Sequence, residues 1–356
     1  MNMHRRRWIR RALAVAAMVS TSFALGGLAT PAAADPIKIR IGWSTMPGHM
    51  IPVLYSNPSV LKHYGKSYVV EPILFRGSTP QITAMAAGEI DMAAFAGTAL
   101  AFAVNNAGLD VKVVADIIQD GVGDYHSDTF LVRADSGINK PEDLKGKRIG
   151  TNAIGSASDT GMRVLLLNKG LVDKRDYTSI EVAFPNIPAM IEEGKIDMGM
   201  VVQPMSDKLV KSGKFKVLYT IKDSVGPSEL VFLTARNDFL QKNKQAVMDF
   251  FEDHVRAMRW FMDPKNKTEA SALIGKFMKQ PPENFDYMFT TADYYRDPFL
   301  IPNIPNLQSM VDASVKAGAL PAPFQVAPKH VDLSFVEEAK RRIQASEGKT
   351  GEGKTQ

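Results

Sequence analysis

Gly-Glu-Ile-Asp-Met at residues 88–92 returns as Gly-Lys-Ile-Asp-Met at residues 194–198. Each copy follows an amphipathic stretch that a proline opens, at Pro80 and at Pro188, and each leads into a short apolar run. Glycine tolerates the positive φ that ends a helix, the isoleucine enters a buried strand, and the aspartate caps the turn between them. The repeat therefore predicts two similar α/β units that face a cleft, where a ligand would bind.

Strand patterns alternate with helical patterns along the first two thirds of the chain, which favours an α/β architecture. The last third is mostly helical, and we expect it to pack back on the first unit. The chain would then cross between the lobes twice, near residues 130–132 and near residues 231–234. This organisation predicts one lobe from residues 35–130 and 233–345, a second lobe from residues 131–232, and a disordered polar tail over residues 346–356.

The first 34 residues have the composition of an export signal. Five arginines lie between residues 5 and 11, an apolar run follows at residues 12–28, and three alanines at residues 32–34 form a small-residue cleavage site. The arginine-rich start resembles a twin-arginine export motif, while a plain basic leader and a retained membrane anchor are the alternatives. We expect the segment 1–34 to be removed and the mature protein to be periplasmic.

Charge and cysteine content exclude several kinds of site. The chain has 43 Lys and Arg against 38 Asp and Glu, and five of the basic residues lie in the leader, so the mature protein would carry 38 of each. The basic excess is therefore no argument for nucleic-acid binding. The absence of cysteine excludes disulfides, thiolate metal ligands and cysteine nucleophiles. We expect no metal, no cofactor and a monomer.

Three further phrases accompany the repeat: Ser-Gly-Ile at residues 136–138, Glu-Asp-Leu-Lys-Gly-Lys at residues 142–147 and Val-Asp-Leu-Ser-Phe at residues 331–335. Together they resemble the nitrate/sulfonate/taurine-type substrate-binding proteins of ABC importers, over nearly the whole mature chain. The resemblance implies a two-lobed, type II periplasmic-binding-protein fold with a ligand cleft between the lobes and two hinge crossovers. It also implies a binding protein, not an enzyme, whose closed form is presented to a membrane permease.

Ligands in open α/β sheets bind beyond the carboxyl ends of the strands. In the first lobe, the positions after strands are Ser44, Thr45, Met46, His49, Arg76, Gly77, Ser78, Thr79, Gly97 and Thr98. The loop near the cleft and the second lobe add Tyr125, His126, Asn152, Ser156, Ser158, Phe184 and Gln203.

Two of these groups precede helices, at residues 77–79 and 155–158, and their N–H groups and hydroxyls are candidates to hold an anionic head group. Plain N-capping is the alternative, and Asp159 would repel an anion from the second helix. Arg76 is a candidate partner for a carboxylate or sulfonate, with a surface arginine as the alternative. Because no charge-rich site is evident, the sequence favours an organic anion with an apolar or aromatic body, such as a sulfonate, taurine or a carboxylate, over nitrate.

Two other functions stay open. An exported sensory partner of a membrane receptor would have the same leader and lobes. An enzyme like those that make a thiamine pyrimidine precursor is disfavoured, because the chain has no cysteine and none of the common hydrolase, metalloprotease or phosphate-loop motifs. The run Glu-Asp-His at residues 252–254 suggests a metal site, but adjacent helical residues point in different directions, so we expect a solvated face.

Overall fold

The computed structural model describes residues 35–45 and 47–352, with side chains through residue 347. The predicted export signal, Met46 and the last four residues lie outside the described residues. No helix within these ranges combines the length and apolar character needed to cross a bilayer.

Strands and helices alternate as predicted. The strands are β1 Ile37–Trp43, β2 Tyr68–Leu74, β3 Met92–Ala96, β4 Val111–Asp120, β5 Thr129–Arg133, β6 Arg148–Thr151, β7 Thr178–Glu181, β8 Met198–Val201, β9 Phe215–Thr220 and β10 Ser228–Arg236. The helices are α1 Ile51–Leu54, α2 Ser78–Ala86, α3 Ala99–Asn105, α4 Ala157–Asn168, α5 Ile187–Glu192, α6 Met205–Lys211, α7 Ile221–Val225, α8 Asn237–Lys242, α9 Lys244–Met262, α10 Lys267–Met278, α11 Ile304–Lys316 and α12 Ser334–Glu352. Short 3-10 turns occupy Pro58–Val60, Pro141–Leu144, Phe184–Asn186, Pro264–Asn266 and Pro282–Phe289.

The strands form two five-stranded sheets with the same topology. The first sheet has the order β2-β1-β3-β10-β4, and the second has the order β7-β6-β8-β5-β9. In each sheet one strand, β10 or β5, runs antiparallel to its neighbours. The predicted two-lobed α/β fold is confirmed, and each repeat begins the central strand β3 or β8.

Both glycines of the repeat end a helix as expected. Gly88 has φ 72° and Gly194 has φ 67°, which a side chain would strain. Ile90 and Ile196 that follow are buried beneath the two sheets.

The two crossings between the sheets come earlier than the sequence predicts. The chain leaves the first sheet after β4 and enters the second at Thr129, and it returns through residues 221–227 to begin β10 at Ser228. Residues 130–132 and 231–234, where the sequence predicts the crossings, lie inside β5 and β10. The reason is pairing: Thr129 already lies opposite Val201, and Ser228 opposite Asp120.

The C-terminal third packs on the first sheet. Phe250 of α9 and Phe335 of α12 belong to the same buried cluster as Ile39 of β1. The predicted disordered tail is wrong at its start, because α12 continues to Glu352. Ser346 accepts a hydrogen bond from Arg256 and Glu347 pairs with Arg259, which hold this part of the helix against α9.

The predicted solvated face at residues 252–254 is also wrong. Glu252, Asp253 and His254 are all buried, because the segment that follows α1 and the helix α12 cover this part of α9. Asp253 accepts hydrogen bonds from backbone N–H groups of residues 62–64, and His254 bonds the Tyr55 hydroxyl at 2.9 Å. The side chains of residues 252–254 hold α9 against residues 55–64.

Candidate functional site

A cavity of about 60 Å³ lies between the two sheets, beyond the carboxyl ends of their strands. Strands β1, β2 and β3 lead to it from the first sheet, and β6 and β8 lead to it from the second, as the rule for open α/β sheets predicts. The predicted site residues on its wall are Ser44, Thr45, His49, Gly77, Ser78, Asn152, Ser156, Ser158, Phe184 and Gln203.

Two helices, α2 and α4, begin at this cavity. Ser78 starts α2, and its hydroxyl accepts a hydrogen bond from the N–H of Ala96 at the end of β3 (3.0 Å). Ser156 caps α4 by accepting from the N–H of Asp159 (3.3 Å). Both serines therefore fix the local backbone, and the N–H groups that remain free in each first helical turn give the cavity wall a positive potential.

Asn152 adds side-chain donors to this wall. Its Oδ1 accepts from the hydroxyls of Ser156 (2.7 Å) and Ser158 (2.6 Å). Its Nδ2 faces the first lobe, 3.6 Å from where a Cβ on Gly77 would stand. None of the described residues accepts a hydrogen bond from that amide, so Asn152 has unused donors at the cavity.

The acid in the first turn of α4 is neutralised by a partner. Asp159 Oδ2 lies 2.9 Å from Nε of Arg163, and Nη1 of the same guanidinium group lies 2.9 Å from Oδ2 of Asp173. The pairing removes most of the repulsion toward an anion that the sequence position suggests.

A buried carboxylate, Asp128, also lies on the cavity wall and accepts a hydrogen bond from the Tyr294 hydroxyl. Burial raises the pKa of Asp128 to about 7. Burial lowers the pKa of His49 to about 3, helped by nearby Arg296, and burial lowers the pKa of His126 to about 4. Both imidazoles are therefore neutral near pH 7. No lysine or arginine is present among the described wall residues.

The two lobes touch across the mouth of the cleft. The Thr98 hydroxyl donates to the carbonyl oxygen of Gly155 at 3.2 Å. A Cβ added to Gly97 would lie 3.1 Å from the backbone nitrogen of Ala157. The lobes are therefore in contact in this structure, and Gly97 and Thr98 lie in that contact instead of on the cavity wall.

Several predicted residues lie elsewhere. Arg76 and Thr79 are exposed and outside the cavity. Tyr125 is 38% exposed and packs edge-on against Tyr295. His126 stands behind the wall, with Nδ1 3.5 Å from Nε2 of Gln203. Met46 lies outside the described residues.

The positions after strands account for only part of the cavity wall. The missed residues are Gly48, Ala96, Ile118, Asp128, Ala157, Met200, Val202, Leu230, Val231 and Tyr294. The sequence pattern sets the crossings too late along the chain and so leaves out Asp128 and Leu230, which line the cavity. Nothing in the local pattern marks Tyr294, which lies 166 residues from Asp128 in sequence.

Solved structures with the same fold include binding proteins and an enzyme. The alkanesulfonate-binding protein SsuA from Xanthomonas axonopodis pv. citri, bound to MOPS, is 20% identical with a TM-score of 0.65, covering 83% of this chain and 99% of that one. The periplasmic nitrate-binding protein NrtA from Synechocystis PCC 6803 is 14% identical with a TM-score of 0.63, covering 86% of each chain. The desulfurization enzyme DSZB is 13% identical with a TM-score of 0.57, covering 86% of this chain and 99% of that one. At these identities the likeness shows the fold alone.

No curated protein matches the chain in sequence. A family model does match: the model of the NMT1-like family aligns with residues 32–275, well over half of the 356 residues. The chain therefore belongs to the NMT1-like family.

Proposed function

We propose that this protein is a periplasmic solute-binding protein that delivers a small organic anion, a sulfonate or a carboxylate, to the permease of an ABC importer. The observation that carries the proposal is the cavity between two sheets at which α2 and α4 both begin. Free N–H groups in the first turn of a helix attract anions, and here two helices contribute them from opposite lobes.

The wall supplies the remaining requirements for such a ligand. Asn152 offers amide donors, and its acceptor oxygen is already taken by Ser156 and Ser158. Phe184 and Met200 supply apolar surface for an organic body. SsuA and NrtA, which share the fold, are named for binding an alkanesulfonate and nitrate.

Closure of the lobes would signal that the ligand is bound. Residues 121–128 and 221–227 are the segments that join the sheets, and we assign the hinge to them. Thr98 and Gly155 meet only if the lobes are together, so a permease could distinguish the closed form from the open one. The basic, apolar leader supports export to the periplasm.

Titration calorimetry with ethanesulfonate, taurine, propionate, β-alanine and benzoate tests the proposal. We expect binding of at least one of these anions and a loss of about tenfold or more in Asn152→Asp, which places a negative charge at the start of α4. The aspartate keeps the acceptor for both serine hydroxyls, so the local fold is preserved.

Asn139→Asp is the matched control. Asn139 is exposed, lies outside the cavity and likewise uses its side-chain oxygen as an acceptor, from Lys216 at 2.7 Å. The Asn139→Asp substitution makes the same change in net charge as Asn152→Asp and should leave anion binding unchanged. Absence of binding to every anion, or equal binding by both variants, would overturn the proposal.

A further inference from the structure

Asp128 has a carboxylate oxygen at the cavity to which none of the described residues donates a hydrogen bond. It is 2% exposed, and one of its carboxylate oxygens, Oδ1, takes the hydrogen bond from the Tyr294 hydroxyl. None of the described residues donates a hydrogen bond to Oδ2. Because Asp128 lines the cavity, the oxygen that the protein leaves without a donor is available to a donor on a bound ligand.

Within the part of the chain that the structure describes, no lysine or arginine makes an ion pair with Asp128. The nearest imidazole nitrogen, Nε2 of His126, lies 3.9 Å from Oδ1 and has no hydrogen-bond partner among the described residues. A second buried carboxylate, Asp120, accepts the backbone N–H of Asp128 at 2.7 Å. Two carboxylates packed this closely repel one another, and a positive group or strong donor beside Asp128 would relieve that repulsion.

The hydrogen-bonding groups of the cavity wall therefore fall into two sets, donors and an acceptor. The starts of α2 and α4, with Asn152, present donors, whereas Asp128 presents an acceptor. The two sets share no hydrogen bond among the described residues. An anion without a donor group would accept hydrogen bonds from the first set and would leave Asp128 without a donor.

We infer that Asp128 selects ligands that carry an N–H-bearing nitrogen, an ammonium or amino group, in addition to their acidic group. The inference rests on the proposed function and narrows it from organic anions to amino-sulfonates and amino-carboxylates. Tyr294 is the positioning residue that holds the carboxylate through Oδ1 and leaves Oδ2 for the ligand.

Matched ligand pairs test this on the wild-type protein. Taurine is compared with ethanesulfonate, and β-alanine with propionate, by titration calorimetry at pH 8, above the pKa of about 7 of the Asp128 carboxyl group. The amino member should bind about tenfold tighter or more, since a hydrogen bond to a buried charge contributes this much. Equal binding within a pair, or tighter binding of the member without nitrogen, would overturn the inference while leaving the proposed function standing. Binding of no anion would overturn the proposed function, and this inference with it.

Asp128→Asn identifies the residue responsible. Tyr294 needs an acceptor, so the asparagine oxygen takes the place of Oδ1 and its NH₂ takes the place of Oδ2, which converts the acceptor at the cavity into a donor. The variant should lose the preference for the amino member, so that the two members of each ligand pair bind alike. A preference that survives in Asp128→Asn would overturn the assignment. The wild-type comparison needs no variant, so the inference stays testable if the variant does not fold.

Discussion

Arg40 of β1 donates two parallel hydrogen bonds to Asp91 of the repeat, from Nε to Oδ2 at 2.9 Å and from Nη2 to Oδ1 at 2.6 Å. The Arg40 backbone N–H also donates to Asp91, at 3.0 Å. In the second sheet Arg148 takes the same position against Asp197, with a backbone hydrogen bond of 2.8 Å and an Nε–Oδ2 distance of 3.6 Å. The aspartate of the repeat therefore joins neighbouring strands in each lobe, beyond the turn capping that its sequence position suggests.

The two aspartates should differ in what they contribute to stability. The Asp91 side chain is 4% exposed and that of Asp197 is 23% exposed. Asp91→Ala leaves a guanidinium and a backbone N–H without their partner, and we expect a loss of about 2–3 kcal/mol in the free energy of unfolding. Asp197→Ala should cost about 1 kcal/mol, because water can replace more of its contacts. Urea denaturation of both variants measures this, and equal losses would contradict it.

Local patterns predicted most of the fold, since they depend on residues close in sequence. The glycine, isoleucine and aspartate of each repeat act within a few residues of one another, and the strand ends place Gly77 and Asn152 at the cavity. The direction of a side chain at a strand end depends on register and packing, which is why the sequence assigns Arg76 to the site although the side chain is exposed. Asp128 and Tyr294 could not be paired from sequence, because their contact forms only when the C-terminal third packs against residues 121–128.

Asp253 should be important for stability and irrelevant to binding. Its carboxylate accepts from the backbone N–H groups of Lys62 (2.7 Å), His63 (2.8 Å) and Tyr64 (3.0 Å) and from the Tyr68 hydroxyl (2.9 Å). Asp253→Asn turns an NH₂ toward some of these donors and should cost about 2–3 kcal/mol in urea denaturation. Affinity for the best anion of the panel should not change, because the residue is outside the cavity.

Asp238→Asn provides the comparison for Asp253. Asp238 makes an ion pair with Arg236 at 3.1 Å, and its side chain is 75% exposed. Removing its charge should leave stability nearly unchanged. If both variants lose the same stability, the backbone contacts of Asp253 are not what holds residues 62–64.

His254 should make the protein less stable in acid. Burial lowers its pKa from about 6.5 to about 4, so between these values the unfolded chain binds a proton that the folded chain does not. Stability from this group is fully present above pH 6.5 and is lost as pH falls toward 4, by up to about 3 kcal/mol.

His254→Phe isolates that contribution. Other buried groups titrate in the same window, and Asp128, with its pKa raised to about 7, acts in the opposite direction. These contributions are common to both proteins, so the difference between them reports on His254. Urea denaturation at pH 4.5, 5.5, 6.5 and 7.5 should show a shallower decline in the variant, and parallel curves would contradict the assignment.

Gly97→Ala should hinder closure of the lobes. Gly97 has φ 57°, and a Cβ there would lie 3.1 Å from the nitrogen and 3.2 Å from Cα of Ala157 in the other lobe. The new methyl group destabilises the closed form relative to the open one, so we expect affinity for the best anion of the panel to fall about tenfold.

Gly108→Ala is the matched control, since Gly108 has φ 65° and nothing within 4 Å of its added Cβ. Both variants carry a similar backbone strain, of about 1 kcal/mol, and should show similar decreases in thermal stability. Calorimetry separates the two effects: a loss of affinity in Gly97→Ala alone identifies the contact between lobes as part of binding, and equal affinities in the two variants would show that closure does not depend on it.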